Sequence, residues 1–165
     1  MANCLRDDLG HEPARSCAAL PYPMDPAYPM PQPHAGTPAG RQILLVEDEP
    51  TLLRVLEMIL TDAGYDVTTC FDGDQALRKF NASPDAWDLV VSDVTMPRLS
   101  GDKLALALRE IRPRLPVILM TGNTMLVTPR RLYALGVAAV LEKPCAIEDV
   151  LGAVDAVFER ARREA

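Results

Sequence analysis

The chain is poor in the features that mark several large functional classes. No apolar run approaches the roughly 20 residues of a membrane-spanning helix. The N-terminus lacks the continuous apolar stretch of a secretory signal. There is no excess of basic residues: the formal net charge is −6 and the pI about 4.9. A phosphate backbone calls for a basic surface, so nucleic acid is not expected as a primary partner. Neither G-x-x-x-x-G-K-[ST] nor G-x-G-x-x-G occurs, so no glycine loop is present to cradle a nucleotide. The four cysteines, Cys4, Cys17, Cys70 and Cys145, have no metal-ligand spacing and read as reduced thiols of a cytoplasmic protein. The two histidines, His11 and His34, fall in a stretch without structured neighbours and read as solvated.

What is present divides the chain unevenly. Residues 1–40 hold eight of the fifteen prolines and show neither helical nor strand periodicity. They read as a disordered Pro-rich arm with local polyproline II character, a linker more readily than a docking peptide. From residue 41 to 163 the composition is that of one globular domain, and its length is enough for one sound core. There is no internal repeat.

Within that domain, short apolar runs alternate with helical patterns. Pro50 opens a helix carrying Leu52, Leu53, Leu56, Ile59 and Leu60, and Gly64 ends it as a left-handed cap. A strand over 67–71 and a helix over 73–81 follow. Leu104, Leu108 and Ile111 mark a third helix, stopped before Pro113. Thr128 and Pro129 read as the N-cap and first residue of a short fourth helix. Ile147, Val150, Leu151, Val154, Val157 and Phe158 form the apolar stripe of a fifth. Trp87 reads as packing at the bottom of the sheet. Five strands alternating with five helices predict an α/β, doubly wound parallel sheet with the flavodoxin-like order 2-1-3-4-5.

Four of the apolar runs end in chemically able residues. Ile43–Val46 leads into Glu47 and Asp48, the run from Leu89 into Asp93, the run from Val117 into Thr121, and the run from Ala138 into Lys143 and Pro144. Parallel strands deliver these ends to one edge, where open α/β sheets bind ligands. A solvated cluster of acids suits a hard cation, and Mg²⁺ prefers one or two carboxylates, waters and a phosphate. Such a metal would reverse the sign of the site and attract a phosphoryl group. Asp93, alone at the end of the central strand, is the best candidate nucleophile, with Glu47 and Asp48 as metal acids. Lys143 offers a compact positive charge and Thr121 a hydroxyl donor, which completes the parts needed to form an aspartyl phosphate. Any one of these residues alone would be an ordinary turn or cap residue; the joint pattern is what is specific.

In that joint pattern the chain resembles the receiver domain of two-component response regulators. The matching stretches are Ile-Leu-Leu-Val-Glu-Asp-Glu-Pro, Leu-Val-Val-Ser-Asp-Val-Thr-Met-Pro with Ser-Gly following, Leu-Met-Thr-Gly and Leu-Glu-Lys-Pro. The resemblance implies Asp93 as phosphoacceptor and Glu47 and Asp48 as Mg²⁺ acids. It implies the main-chain carbonyl of Thr95 as a further metal ligand, Thr121 as the hydroxyl that follows the phosphoryl group, and Lys143 as its partner. It also implies a cis peptide before Pro144, a phosphohistidine donor on a sensor histidine kinase or histidine phosphotransfer protein, and a downstream protein partner in trans. Self-phosphorylation and dephosphorylation would proceed without turnover of a separate substrate. Three positions depart from the family. Glu47 stands where Asp is common, a conservative change for a metal-water ligand. Val140 stands where an aromatic switch residue is usual, and Cys145 where Phe is frequent; Cys145 reads as a small buried hydrophobe.

Rival readings fit less well. A haloacid-dehalogenase-like phosphatase needs a second acid two residues after its nucleophile, and Thr95 is there. A flavodoxin-like cofactor site would be repelled by Glu47, Asp48 and Glu49. With no output domain after the final helix, the expectation is a stand-alone receiver or a detached receiver module of a hybrid histidine kinase.

Overall fold

Strands apolar on both faces need cover on both faces, and the arrangement follows from that requirement. In a computed structural model, which describes residues 40–122 and 134–164, five strands form one parallel sheet. They are β1 (Gln42–Val46), β2 (Asp66–Cys70), β3 (Leu89–Asp93), β4 (Val117–Thr121) and β5 (Ala139–Glu142), ordered β2-β1-β3-β4-β5 as expected. Four described helices cover them: α1 (Pro50–Asp62), α2 (Gly73–Ala82), α3 (Gly101–Ile111) and α4 (Ile147–Glu164). The expected arm falls outside the described residues except for Gly40, and so does the opening of the expected helix at Thr128 and Pro129.

Alternation along the strands sorts the core into two layers. Ile43, Leu45, Val91, Ile118 and Met120 pack with Leu53, Leu56 and Leu60 of α1 and with Val150, Val154 and Phe158 of α4. Leu44, Val46, Val90 and Leu119 pack with Ala76 and Phe80 of α2 and with Leu104 and Leu108 of α3. Trp87 is buried in this second layer, as the sequence suggested, though its indole N–H has no hydrogen-bond partner among the described residues. The second strand begins and ends one residue earlier than expected, and Phe71 lies beyond it, half exposed.

The helix starts carry most of the local detail. Glu49 caps α1 by accepting the N–H groups of Thr51 and Leu52 at 3.0 and 2.6 Å, with Pro50 in the first turn. Gly64 takes a left-handed φ of 93° after the helix, the predicted cap geometry. At α2, Asp72 accepts the N–H of Gln75 at 2.7 Å, while the Gln75 side chain accepts the N–H of Phe71 at 2.8 Å. The backbone bond from Gln75, then the Arg98 guanidinium, hold the Asp72 carboxyl below the usual range.

Asp72→Ala should therefore cost about 1–2 kcal/mol near neutral pH, the usual loss for a helix cap. A carboxyl with a depressed folded pKa contributes stability above its unfolded value, near 3.9, and loses it as the pH falls through the folded value. Urea unfolding from pH 7 to pH 3 should show the gap between wild type and mutant closing at the acid end. A gap that stays constant would contradict this role.

At the opposite edge of the sheet, α4 is fastened by side chains. The Tyr65 hydroxyl donates to Asp155 at 2.5 Å, the Tyr65 and Phe158 rings stack, and the Arg41 guanidinium lies 4.2 Å from the centre of the Phe158 ring. Both described cysteines are free thiols. Burial pushes the Cys70 thiol up to about 11.

Candidate functional site

The parallel register brings the ends of β1, β3, β4 and β5 to one edge. Val46 pairs with Ser92, Asp93 with Met120, and Thr121 with Glu142. Glu47 and Asp93 follow from this as neighbours, because β1 and β3 are adjacent. Both are buried, and the Lys143 ammonium sits between them, 2.5 Å from Asp93 Oδ1 and 2.7 Å from Glu47 Oε2. The other Asp93 oxygen, Oδ2, accepts the main-chain N–H of Thr95 at 2.6 Å. Thr121 is fully buried at the end of β4, and its carbonyl accepts the Lys143 N–H at 2.8 Å. The peptide before Pro144 is cis.

Five of the residues expected from the sequence therefore share this edge: Glu47, Asp93, Thr95, Thr121 and Lys143. Asp48 does not join the buried pair; it is exposed. Adjacent residues at a strand end point apart, so one of two consecutive acids must turn away. Among the described residues no three acid, histidine or cysteine side chains stand together as a ready metal group. Val140 is buried on the sheet face shared with α2 and α3. Cys145 is half buried and lines an apolar cavity of about 530 Å³ together with Leu52, Val55, Ile59 and Ile147.

The electrostatics are those of two acids and one base in a poorly solvated place. Burial pushes the Glu47 carboxyl up; the Lys143 hydrogen bond and charge oppose this, and the Asp93 charge adds to it. Burial works against the charged form of Lys143, but the hydrogen bonds and charges of Asp93 and Glu47 more than offset it, and its pKa is raised.

Two glycines let the surrounding loops close on the site. A Cβ on Gly101 would lie 2.0 Å from the Asp93 carbonyl oxygen and 3.0 Å from Ser92 Oγ, which itself donates to that carbonyl at 2.9 Å. A Cβ on Gly73 would lie 2.3 Å from the Leu99 carbonyl oxygen. Neither the helix expected from residue 73 nor the Ser-Gly pair ending at residue 101 announced this requirement in the sequence. Nor did the sequence single out a role for Asp72 or for Arg98, which lies in the turn over 96–101, although Asp72 stands three residues before Gln75 in the spacing of a capping box.

Comparison with known proteins agrees with this arrangement. The family model described as "Response regulator receiver domain" matches residues 43–155. The two-component response regulator ORR24 of Oryza sativa subsp. indica is 37% identical over 113 residues, which is 68% of this chain and 18% of that relative. The chain thus spans about a fifth of that curated relative's length. A response regulator receiver domain protein from Clostridium thermocellum superimposes with a TM-score of 0.70 at 26% identity, over 76% of this chain and 99% of that one. The response regulator TrrA from Thermotoga maritima, solved in complex with Mg(2+)-BeF, superimposes with a TM-score of 0.64 at 27% identity, over 71% and 98% of the two chains.

Proposed function

The chain belongs to the response regulator receiver domain family, and from that premise we propose that Asp93 accepts a phosphoryl group in a two-component phosphorelay. The observation that carries this reading is the buried Asp93 carboxylate held between Lys143 Nζ and the Thr95 N–H at the C-terminal edge of the sheet. In the step proposed, the phosphorus–nitrogen bond of a phosphohistidine breaks as a carboxylate oxygen of Asp93 bonds to phosphorus. The departing imidazole keeps the electron pair and takes up a proton. The donor is a sensor histidine kinase or a histidine phosphotransfer protein, and the reduced thiols suit the same cytoplasmic setting. The reaction turns over no separate substrate.

Before transfer, Lys143 neutralises part of the charge on Asp93 and Glu47. Afterwards its ammonium is the cation nearest the new phosphoryl oxygens, and the Thr121 hydroxyl at the adjoining strand end is a donor for them. Mg²⁺ suits the donor set. Glu47, Asp48 and Asp93 bring three negative charges against the single positive charge of Lys143, leaving the charge of one divalent cation. Those three acids and the Thr95 main-chain carbonyl would hold it, and when bound it would supply charge neutralisation for the incoming phosphate. The consequence proposed for the chain is altered binding of a protein partner in trans. Val140 in place of an aromatic leaves no large ring to fill space vacated by Thr121, so the response should centre on the segment after β4.

Intact mass spectrometry with phosphoramidate as donor tests the reading. Wild type should gain one phosphoryl group with Mg²⁺ present and none with excess chelator. Asp93→Asn should gain none under either condition. Equal labelling of the mutant would sink the assignment.

A further inference from the structure

The loop that joins β3 to α3 carries Thr95, and it is held at three points. At its end Gly101 packs against the Asp93 carbonyl, and near its end the Leu99 carbonyl packs against Gly73. Immediately before these contacts in the chain lies Arg98, with a left-handed φ of 64°, unusual for a residue with a side chain. The Arg98 guanidinium pairs with Oδ2 of Asp72, whose side chain is only 8% exposed and whose other oxygen caps α2. Asp72 is thus fixed from below by the helix it caps and offers a rigid anchor. Arg98 follows Thr95 by three residues, and the Thr95 N–H holds the Asp93 carboxylate at 2.6 Å.

We propose that the Asp72–Arg98 ion pair is a positioning device for the reaction at Asp93. It holds the left-handed turn at Arg98 and thereby keeps the Thr95 main chain in place beside the carboxylate. This rests on the phosphoacceptor reading above. Arg98 itself touches no reacting atom. Its side chain is 61% exposed, so the pair adds little to global stability, and its effect lies in where the loop sits. A main chain that drifts at Thr95 misplaces both its N–H and its carbonyl, and ligand groups held by their neighbours lose metal affinity when that support is removed.

Three variants separate this from a general contribution to folding. Asp72→Asn keeps a good helix cap but removes the charge. Arg98→Gly keeps the left-handed turn accessible but leaves it unanchored. Arg98→Lys keeps a cation at the same place. Two quantities are measured on the full chain: the Mg²⁺ dissociation constant by calorimetry without phosphodonor, and the Mg²⁺ dependence of phosphoramidate labelling. Asp72→Asn and Arg98→Gly should both weaken Mg²⁺ binding roughly three- to tenfold. Their labelling at saturating Mg²⁺ should return to within about twofold of wild type, since every group that touches phosphorus is intact. Arg98→Lys should stay close to wild type. If wild type is labelled and both charge-removing variants bind Mg²⁺ as it does, the device is overturned while the phosphoacceptor reading stands. A loss at saturating Mg²⁺ that tracks a lower melting temperature would overturn it in favour of a folding role. A wild type that takes no label would remove the phosphoacceptor reading and this proposal with it.

Discussion

Gly101→Ala is expected to lower stability by about 3 kcal/mol, a melting temperature drop on the order of 10 °C for a domain of this size. Helix propensity alone points the other way, since Ala is better than Gly by about 1 kcal/mol inside a helix. The clash wins because of what the new methyl meets. The Asp93 carbonyl oxygen would be 2.0 Å away and its carbon 2.9 Å, and both are backbone atoms of a central strand. Neither can move by changing a rotamer. The N-terminus of α3 would have to retreat from β3, and the bond from the Gly101 N–H to the Val94 carbonyl, 3.0 Å long, would lengthen with it. That bond closes the loop bearing Thr95, so the damage should reach the site as well as the core. Thermal unfolding followed by circular dichroism measures the first effect, and labelling of Asp93 at a temperature where the mutant is folded measures the second. A mutant as stable as wild type would mean that the helix start is far more compliant than its packing indicates.

The sheet and the edge were legible in the sequence because they depend on coarse signals. Leu89, Val90 and Val91 are apolar in succession, which marks a strand covered on both faces, and right-handed crossovers then leave few strand orders. Once β1 and β3 are neighbours, Glu47 and Asp93 must be close whatever the side chains do. What escaped the sequence depends on side-chain direction and on close approach. The acids Glu47 and Asp48 read as a pair, yet one is buried against Lys143 and the other faces solvent. Lys143 read as a partner for an incoming phosphate, and it already bridges two carboxylates. Glu49 was not recognised as a cap because Glu is not among the usual cap residues, although its two oxygens take two N–H groups. The link between Asp72 and Arg98 crosses 26 residues and two loops, and no local pattern announces a contact of that kind.

Lys143→Met should be the most damaging single change to the charge balance of the site, at about 2–3 kcal/mol. Breaking a fully buried ion pair costs about 3–5 kcal/mol, and the Lys143 side chain is 23% exposed, so solvent screening discounts that figure. The methionine replaces the stem of the lysine with similar volume, so little of the loss comes from packing. What remains is two carboxylates facing each other with side chains 2% and 6% exposed and no cation between them. Burial and the Asp93 charge already push the Glu47 carboxyl up, and the two largest opposing influences both come from Lys143, the Glu49 main-chain N–H adding a smaller one. A second substitution separates charge from shape. Glu47→Gln keeps the outline of the side chain and removes one negative charge, so Lys143→Met with Glu47→Gln should recover at least half of the loss. Urea unfolding of wild type, both single mutants and the double mutant completes the cycle. If the two substitutions simply add, the lysine acts through packing and not through the acids it bridges. If they compensate, the buried carboxylates depend on that one ammonium for their place in the fold, and any ligand that draws Lys143 away from Glu47 must supply positive charge of its own.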